Sequence, residues 1–170
     1  IELSIIIAHY KPNSSIENPL NKTLSIIQKQ KLNFNIEIII ADDGSNYTKE
    51  ISNNFSKKYE IENDSRKIYF LENEKLKNML KKNNIIIDNI KRWVYLPKEV
   101  NCMSKARVGN FASKSANSNH LLFIDDDNYF ISENSIQNLL NLFNKYNFIV
   151  GQIKDKNGRI RKYNSNRVQG

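Results

Sequence analysis

Leu121-Leu122-Phe123-Ile124 runs without a break into Asp125-Asp126-Asp127. Four large apolar residues with polar neighbours read as a short strand buried on both faces. Three carboxylates then stand where the strand leaves its sheet. Residues two apart on a strand project to the same side about 6–7 Å apart. Two like charges at that distance repel by roughly 2–3 kcal/mol at an effective dielectric of about 20. A cation between them would offset that cost, so Asp125 and Asp127 are candidate metal ligands, with Asp126 turned the other way. Taken alone, a polar turn capping a core strand explains these residues equally well. A calcium-binding loop fails on spacing, because its fifth position would be Tyr129 and its sixth, which should be Gly, is Phe130.

The same pattern recurs along the chain. Leu3-Ser4-Ile5-Ile6-Ile7-Ala8 is an apolar strand followed by the polar break His9-Tyr10-Lys11-Pro12. Asn18-Pro19 offers an N-cap with Pro at the first helical position, and Leu20, Leu24 and Ile27 predict a helix to about Lys31. Ile36 to Ala41 is a further buried strand, ending in Asp42-Asp43-Gly44-Ser45, and Ile51, Phe55 and Tyr59 mark a second amphipathic helix. Lys67 to Leu71 and Trp93 to Leu96 are strand-like, and residues 72–91 read as an insertion or mobile loop. Ser104 caps a predicted helix to Ser118, with Ala106, Gly109 and Ala112 small enough for close packing. Ser132 caps another, carrying Ile136, Leu139, Leu140 and Phe143. Phe148 to Val150 predicts a strand, and Asn157-Gly158 a hairpin turn. Strands alternating with helices predict a mainly parallel α/β sheet. Ligands of such sheets bind beyond the carboxyl ends of the strands, where Asp42-Asp43 and Asp125 to Asp127 both fall.

Charge narrows the partners. A net +8 favours anions: nucleotide phosphates, nucleic acid, acidic glycan or an anionic membrane. The excess after Gly151 (Lys154, Lys156, Arg159, Arg161, Lys162 and Arg167 against Asp155) reads first as a solvated face. Cys102 is the single cysteine, so no internal disulfide forms and a reducing compartment fits. No apolar run approaches the roughly 20 residues of a membrane helix. Ile1 opens directly on a strand, without a signal-peptide pattern or initiator Met, which suggests a fragment or a processed chain.

With these pieces in order, the chain resembles the family 2 glycosyltransferases of GT-A fold. The resemblance is carried by LSIIIAHY (Leu3 to Tyr10), IEIIIADDGS (Ile36 to Ser45), SKAR (Ser104 to Arg107) and HLLFIDDDNYF (His120 to Phe130). It implies a Rossmann-like nucleotide-diphospho-sugar transferase fold over residues 1–153, without the C-terminal acceptor part, with 154–170 a basic hairpin and tail. It also implies a nucleotide-sugar donor, a UDP-sugar first, and a divalent metal, Mn or Mg. Ala8 and Tyr10 would border the nucleoside, Asp43 would accept from the base, and Arg107 would approach the nucleotide. Asp125 and Asp126 would line the donor site, and Asp127, with Asp125, would bind the metal on the diphosphate. The implied reaction is inverting transfer of a hexosyl or N-acetylhexosaminyl group to a glycan or lipid-linked acceptor. A cytoplasmic enzyme at the inner face of a bacterial membrane, peripherally held, would serve polysaccharide biosynthesis in this way.

Two positions depart from the family pattern: Val108 stands where Asn is common, and Cys102 where Gly is common. The family's catalytic base lies well beyond the DxD strand. Glu133, favourable at a helix start for the dipole alone, and Asp155, beside a turn, are not assigned that role. His9 reads as a polar loop residue, His120 as structural, and Trp93 as packing. Two other readings stay open: a non-catalytic nucleotide- and metal-binding module of the same fold, and a basic nucleic-acid-binding protein. The second lacks an RNA-type aromatic motif, so no specific nucleic acid is expected.

Overall fold

Two strands without an exposed residue, apart from half-buried Ala8, form the centre of the sheet. β1 (Leu3–His9) and β2 (Ile36–Asp42) run parallel with Ile5 opposite Ile38 and Ile7 opposite Ile40. Consecutive isoleucines suit this position, since a central strand presents alternate side chains to two covered faces. The computed structural model describes residues 1–12, 17–49, 56–59, 68–71, 78, 81, 84–85, 90–98 and 104–160. Among these, the sheet has six strands in the order β3-β4-β5-β2-β1-β6. β5 (Ile90–Tyr95) and β6 (Leu121–Asp125) continue the parallel part on either side. β4 (Ile68–Leu71) and β3 (Ser56–Tyr59) add an antiparallel extension beyond β5.

Helices cover both faces. α1 (Pro19–Gln28) is capped as the sequence suggests, with Asn18 Oδ1 accepting from the Leu20 N–H at 3.1 Å. Leu20, Leu24 and Ile27 from α1 meet Leu3, Ile5, Ile7, Ile38 and Ile40 on one face. On the other, Val108 and Ala112 from α3 (Ser104–Lys114) pack on Ile6, Ile39, Ala41 and Val94. Two shorter helices are α2 (Asn46–Lys49) and α4 (Ser135–Leu142). Gln30 ties the start of α4 to the core: its Oε1 accepts from the Ile136 N–H at 3.1 Å and its Nε2 donates to the Ser132 carbonyl at 2.9 Å. One otherwise unsatisfied donor of the first helical turn is thereby paired.

Several expectations need correction. β6 is not buried on both faces: among the described residues it is an edge strand, and Phe123 is 56% exposed. An apolar run of four cannot distinguish a central strand from an edge strand that is half covered. α1 ends at Gln28, short of Lys31, and α3 at Lys114, short of Ser118. Ala106 is exposed, whereas Gly109 and Ala112 are buried as expected. Tyr59 belongs to β3 rather than a helix; Ile51 and Phe55 lie outside the described residues. β5 begins at Ile90, inside the stretch read as an insertion, most of which also lies outside them.

By compactness the chain forms two units, Ile1–Gln137 and Asn138–Gly170. The second contains the Asn157-Gly158 hairpin, closed by a bridge between Lys154 and Ile160, with Gly158 at φ +76°. Phe148 to Val150 forms no strand there, and Phe148 and Val150 are exposed.

Candidate functional site

β1 leads through α1 on one face to β2, while α3 on the other face leads into β6, on β1's opposite side. The order of strands therefore reverses direction between β1 and β6. Open α/β sheets bind ligands at such a switch point. Ala8 of β1 lies opposite Asp125 of β6 at this position, and opposite Ala41 on β2.

Beside it, the end of β2 is held by a buried carboxylate. Asp42 accepts at Oδ1 from the Ser45 N–H at 2.8 Å and at Oδ2 from Trp93 Nε1 at 2.9 Å, with the Thr48 hydroxyl donating to the same oxygen. The bends that follow bring Asp43 to the front, its N–H donating to the His9 carbonyl at 2.9 Å. Gly44 is at φ +81°, and a Cβ there would lie 2.4 Å from the Lys98 nitrogen and 2.9 Å from its Cα. Only glycine fits both the left-handed backbone and that approach. Lys98 is thus pressed against the turn, with its ammonium on Asp43 Oδ2 and 4.3 Å from the centre of the Tyr10 ring. Tyr10 itself is 41% exposed.

The acidic turn splits between the two faces. Asp125 is met by the ammonium of Lys105, in the first turn of α3. Asp126 turns to the α1 face, where its Oδ2 lies 2.6 Å from His9 Nδ1 and 3.4 Å from the Tyr10 N–H. Its backbone is held as well, the N–H donating to Ala8 at 3.0 Å and the carbonyl accepting from Thr23 Oγ1 at 2.5 Å. Asp127 is exposed at the tip. His9 is the last residue of β1 and only 2% exposed, with Nε2 2.6 Å from the Tyr47 hydroxyl and its ring edge-on to Tyr47 and Trp93. Burial, and then the nearby Asp42 charge, push the Tyr47 hydroxyl well above the usual phenol range, so it stays protonated.

The structure thus brings Ala8, Tyr10, Asp43, Asp125, Asp126 and Asp127 to one sheet end. Arg107 is half-buried in the first turn of α3. His9, read as a loop histidine, is a buried strand residue, and Trp93 hydrogen-bonds Asp42 besides packing. Tyr47, Lys98 and Lys105 escaped notice. For His9 the available signal was its place at the end of an apolar strand; nothing local marks the others. Val108, where the resembled family often has Asn, is fully buried against β1, β2 and β5. Cys102 lies outside the described residues. His120 is exposed and precedes β6. Glu133 pairs with Lys31 at 2.7 Å, and that hydrogen bond and charge hold its carboxyl below the usual range. Asp155 Oδ1 accepts from the N–H groups of Asn157 and Arg159 and so builds the hairpin. Among the described residues no three His, Cys, Asp or Glu side chains converge on a metal position, and no helix is long and apolar enough to cross a membrane.

No protein-family model and no curated protein sequence matches the chain. Solved structures do. S. aureus TarS 1–349 matches with TM-score 0.50 and 18% identity over 85% of this chain and 33% of that one. S. aureus TarS matches at 0.46 and 18%, over 85% and 20%. TarS 1–349 in complex with UDP matches at 0.42 and 18%, over 85% and 32%. The chain spans about a third of the length of TarS 1–349. The first likeness concerns the fold, and with the parallel sheet and its flanking helices it leads to one conclusion: this chain has a Rossmann-like α/β architecture similar to that of S. aureus TarS 1–349.

Proposed function

We propose that residues 1–170 contain the donor-binding part of a metal-dependent glycosyltransferase using a nucleotide sugar, with a UDP-sugar as first candidate. The observation that carries this is the gathering of Tyr10, Asp43 and the Asp125-Asp126-Asp127 turn around the β1–β6 switch point. Tyr10 and Ala8 would border the nucleoside, Asp43 would accept from the base, and Arg107 and Asp126 would complete the donor site. Asp127 and Asp125 would hold the cation. Their chemistry fits a hard divalent ion: Asp127 is open to solvent, half-buried Asp125 shares its carboxylate with Lys105, and such an ion takes the rest of its shell from phosphate oxygens and water. When bound, it supplies charge neutralisation for the departing diphosphate. Lys105 and Lys98 add positive charge at the same sheet end.

In an inverting displacement the acceptor hydroxyl oxygen bonds to the anomeric carbon. The bond to the β-phosphate breaks, its electron pair leaves with the diphosphate, and the hydroxyl proton passes to a base. We assign that base to no described carboxylate, since Glu133 is tied to Lys31 and Asp155 to its hairpin. A glycan or lipid-linked acceptor, and a cytoplasmic site of action at a membrane's inner face, complete the reading.

The test is calorimetric titration with UDP, ADP and GDP, each with and without manganese or magnesium. The reading expects UDP to be preferred and its affinity to rise with the metal. At a hundred times its Kd, UDP should add about 2.7 kcal/mol of stability. Binding that ignores both base and metal would overturn the assignment.

A further inference from the structure

We infer that His9 is a positioning residue for the acidic turn: by holding Asp126 on the α1 face, it fixes the backbone from which Asp125 and Asp127 project. The inference rests on the donor-site reading for its purpose, but on geometry alone for its mechanism. His9 closes β1 and is buried, and both ring nitrogens have partners at 2.6 Å, Asp126 Oδ2 and the Tyr47 hydroxyl. A carboxylate only accepts, so Nδ1 donates to Asp126, and the Tyr47 hydroxyl bonds Nε2. The Tyr47 oxygen in turn lies 3.4 Å from Asn18 Nδ2, the residue that caps α1. The result is a chain of hydrogen bonds linking Asn18, Tyr47, His9 and Asp126. It runs from the first turn of α1 to the acidic turn.

Its rotational freedom is removed as well. Tyr47 and Trp93 stand edge-on to the His9 ring at 5.7 and 5.8 Å between centroids. Trp93 is itself anchored on Asp42, so the same assembly joins the ends of β1, β2, β5 and β6. The second grip on the turn is the Thr23 hydroxyl on the Asp126 carbonyl, also from α1. Asp125 faces α3 and Lys105 instead. His9 therefore bears on how the triple-aspartate sequence divides: the Asp126 carboxylate is held beside His9 and Tyr10, and those of Asp125 and Asp127 project elsewhere.

The test compares wild type with His9→Phe, His9→Asn and Tyr47→Phe in two measurements. The first is amide hydrogen exchange in the protein without nucleotide, read at Asp126 and Asn128, whose N–H groups bond the carbonyls of Ala8 and Asp125. His9→Phe should speed exchange there about tenfold, the loss of one hydrogen bond's worth of protection. His9→Asn keeps a donor at the Nδ1 position and should restore most of it. The second measurement is the ratio of UDP affinities with and without manganese. His9→Phe should lower that ratio about tenfold while metal-free affinity stays within about twofold, and His9→Asn should recover it.

Unchanged exchange at Asp126 and Asn128 in a folded His9→Phe protein overturns the positioning role. So does an equal loss of metal-free and metal-linked affinity, which marks a general packing defect. If wild type binds no UDP at all, the donor-site reading fails, and the exchange measurement alone decides the role of His9. If His9→Phe does not fold, Tyr47→Phe carries the test. It leaves Nδ1 in place but frees Nε2, and should speed exchange at Asp126 and Asn128 by a smaller factor; no change overturns the proposal.

Discussion

Replacing Gly44 by alanine tests whether the Asp43–Lys98 arrangement is built into the backbone. Two costs are separable. A side chain at φ +81° enters the left-handed region, which costs about 1–2 kcal/mol for a residue with a Cβ. The new Cβ would also stand 2.4, 2.8 and 2.9 Å from the nitrogen, Cβ and Cα of Lys98. Two of those three atoms are main chain, so relief requires the segment after β5 to move, as in an overpacked core at about 1–3 kcal/mol. Together the change should destabilise by about 2–5 kcal/mol. For a chain of this length that lowers the melting temperature by roughly 4–20 °C. Gly44→Asn separates the terms, because asparagine tolerates the left-handed region but still carries a Cβ. It should recover the first cost and keep the second. Thermal and urea denaturation measure both variants, and NMR follows the ring-current shift of the Lys98 side chain over Tyr10. An alanine variant as stable as wild type, or an asparagine variant that restores stability fully, would show that Lys98 yields freely and that the turn imposes nothing on it.

Three further outcomes follow from other contacts. Burial works to raise the Glu37 carboxyl, but hydrogen bonds from Ser4 and Asn117, with Arg92 4.0 Å away, outweigh it and leave it below the usual range. A depressed folded value stabilises above the unfolded value of about 4.3 and is lost as pH falls through the folded one. Glu37→Gln should therefore flatten the acid limb of the stability–pH curve, and an unchanged limb counts against this. Trp93→Phe removes the donor to Asp42 and part of a fully buried ring, so it should cost about 2–4 kcal/mol in urea denaturation; a cost below about 1 kcal/mol would mean Asp42 is held by Ser45 and Thr48 alone. Asp127→Asn keeps the shape of an exposed side chain and removes its charge, so calorimetry should show the manganese dependence of UDP binding abolished at an unchanged or raised melting temperature; destabilisation without ligand would instead indicate a structural turn.

Much of the architecture was legible because central parallel strands leave an unmistakable mark. Ile5-Ile6-Ile7 and Ile38-Ile39-Ile40 have few alternatives to burial on both faces, and Asn18-Pro19 announces a helix start by local chemistry. β6 was misjudged because edge and centre differ in what lies beside a strand, which its own residues do not encode. Tyr59 fitted a helical spacing that the pairing of β3 with β4 overrode. Phe148 to Val150 has the composition of a strand but gains no pairing partner among the described residues. At the site, Asp43 and the acidic turn were legible as carboxylates at strand ends. Lys98 was not, since its approach to Asp43 depends on the parallel register of β2 and β5, some fifty residues apart. His9 was visible but undervalued: a histidine at a strand end looks the same whether or not a tyrosine and an aspartate close around it.

Two of the strands that carry the candidate site, β1 and β2, are among the most deeply buried of the described residues, which has a thermodynamic consequence. Segments of high contact and full burial open only with free energies near that of global unfolding, whereas binding loops usually come from the least stable parts. Here Ala8, His9 and Asp42 lie at the ends of such strands and Asp43 follows one directly, while Asp125 and Asp126 stand at the end of the half-exposed edge strand β6. A small ligand arriving at this edge would find the backbone already ordered. The ordering cost of association would then fall chiefly on the exposed side chains of Tyr10, Lys98, Lys105 and Asp127, at about 0.5–1.5 kcal/mol for each rotamer-rich one immobilised. Affinity would be set by those few side chains, while the main chain keeps the same geometry for every ligand it meets.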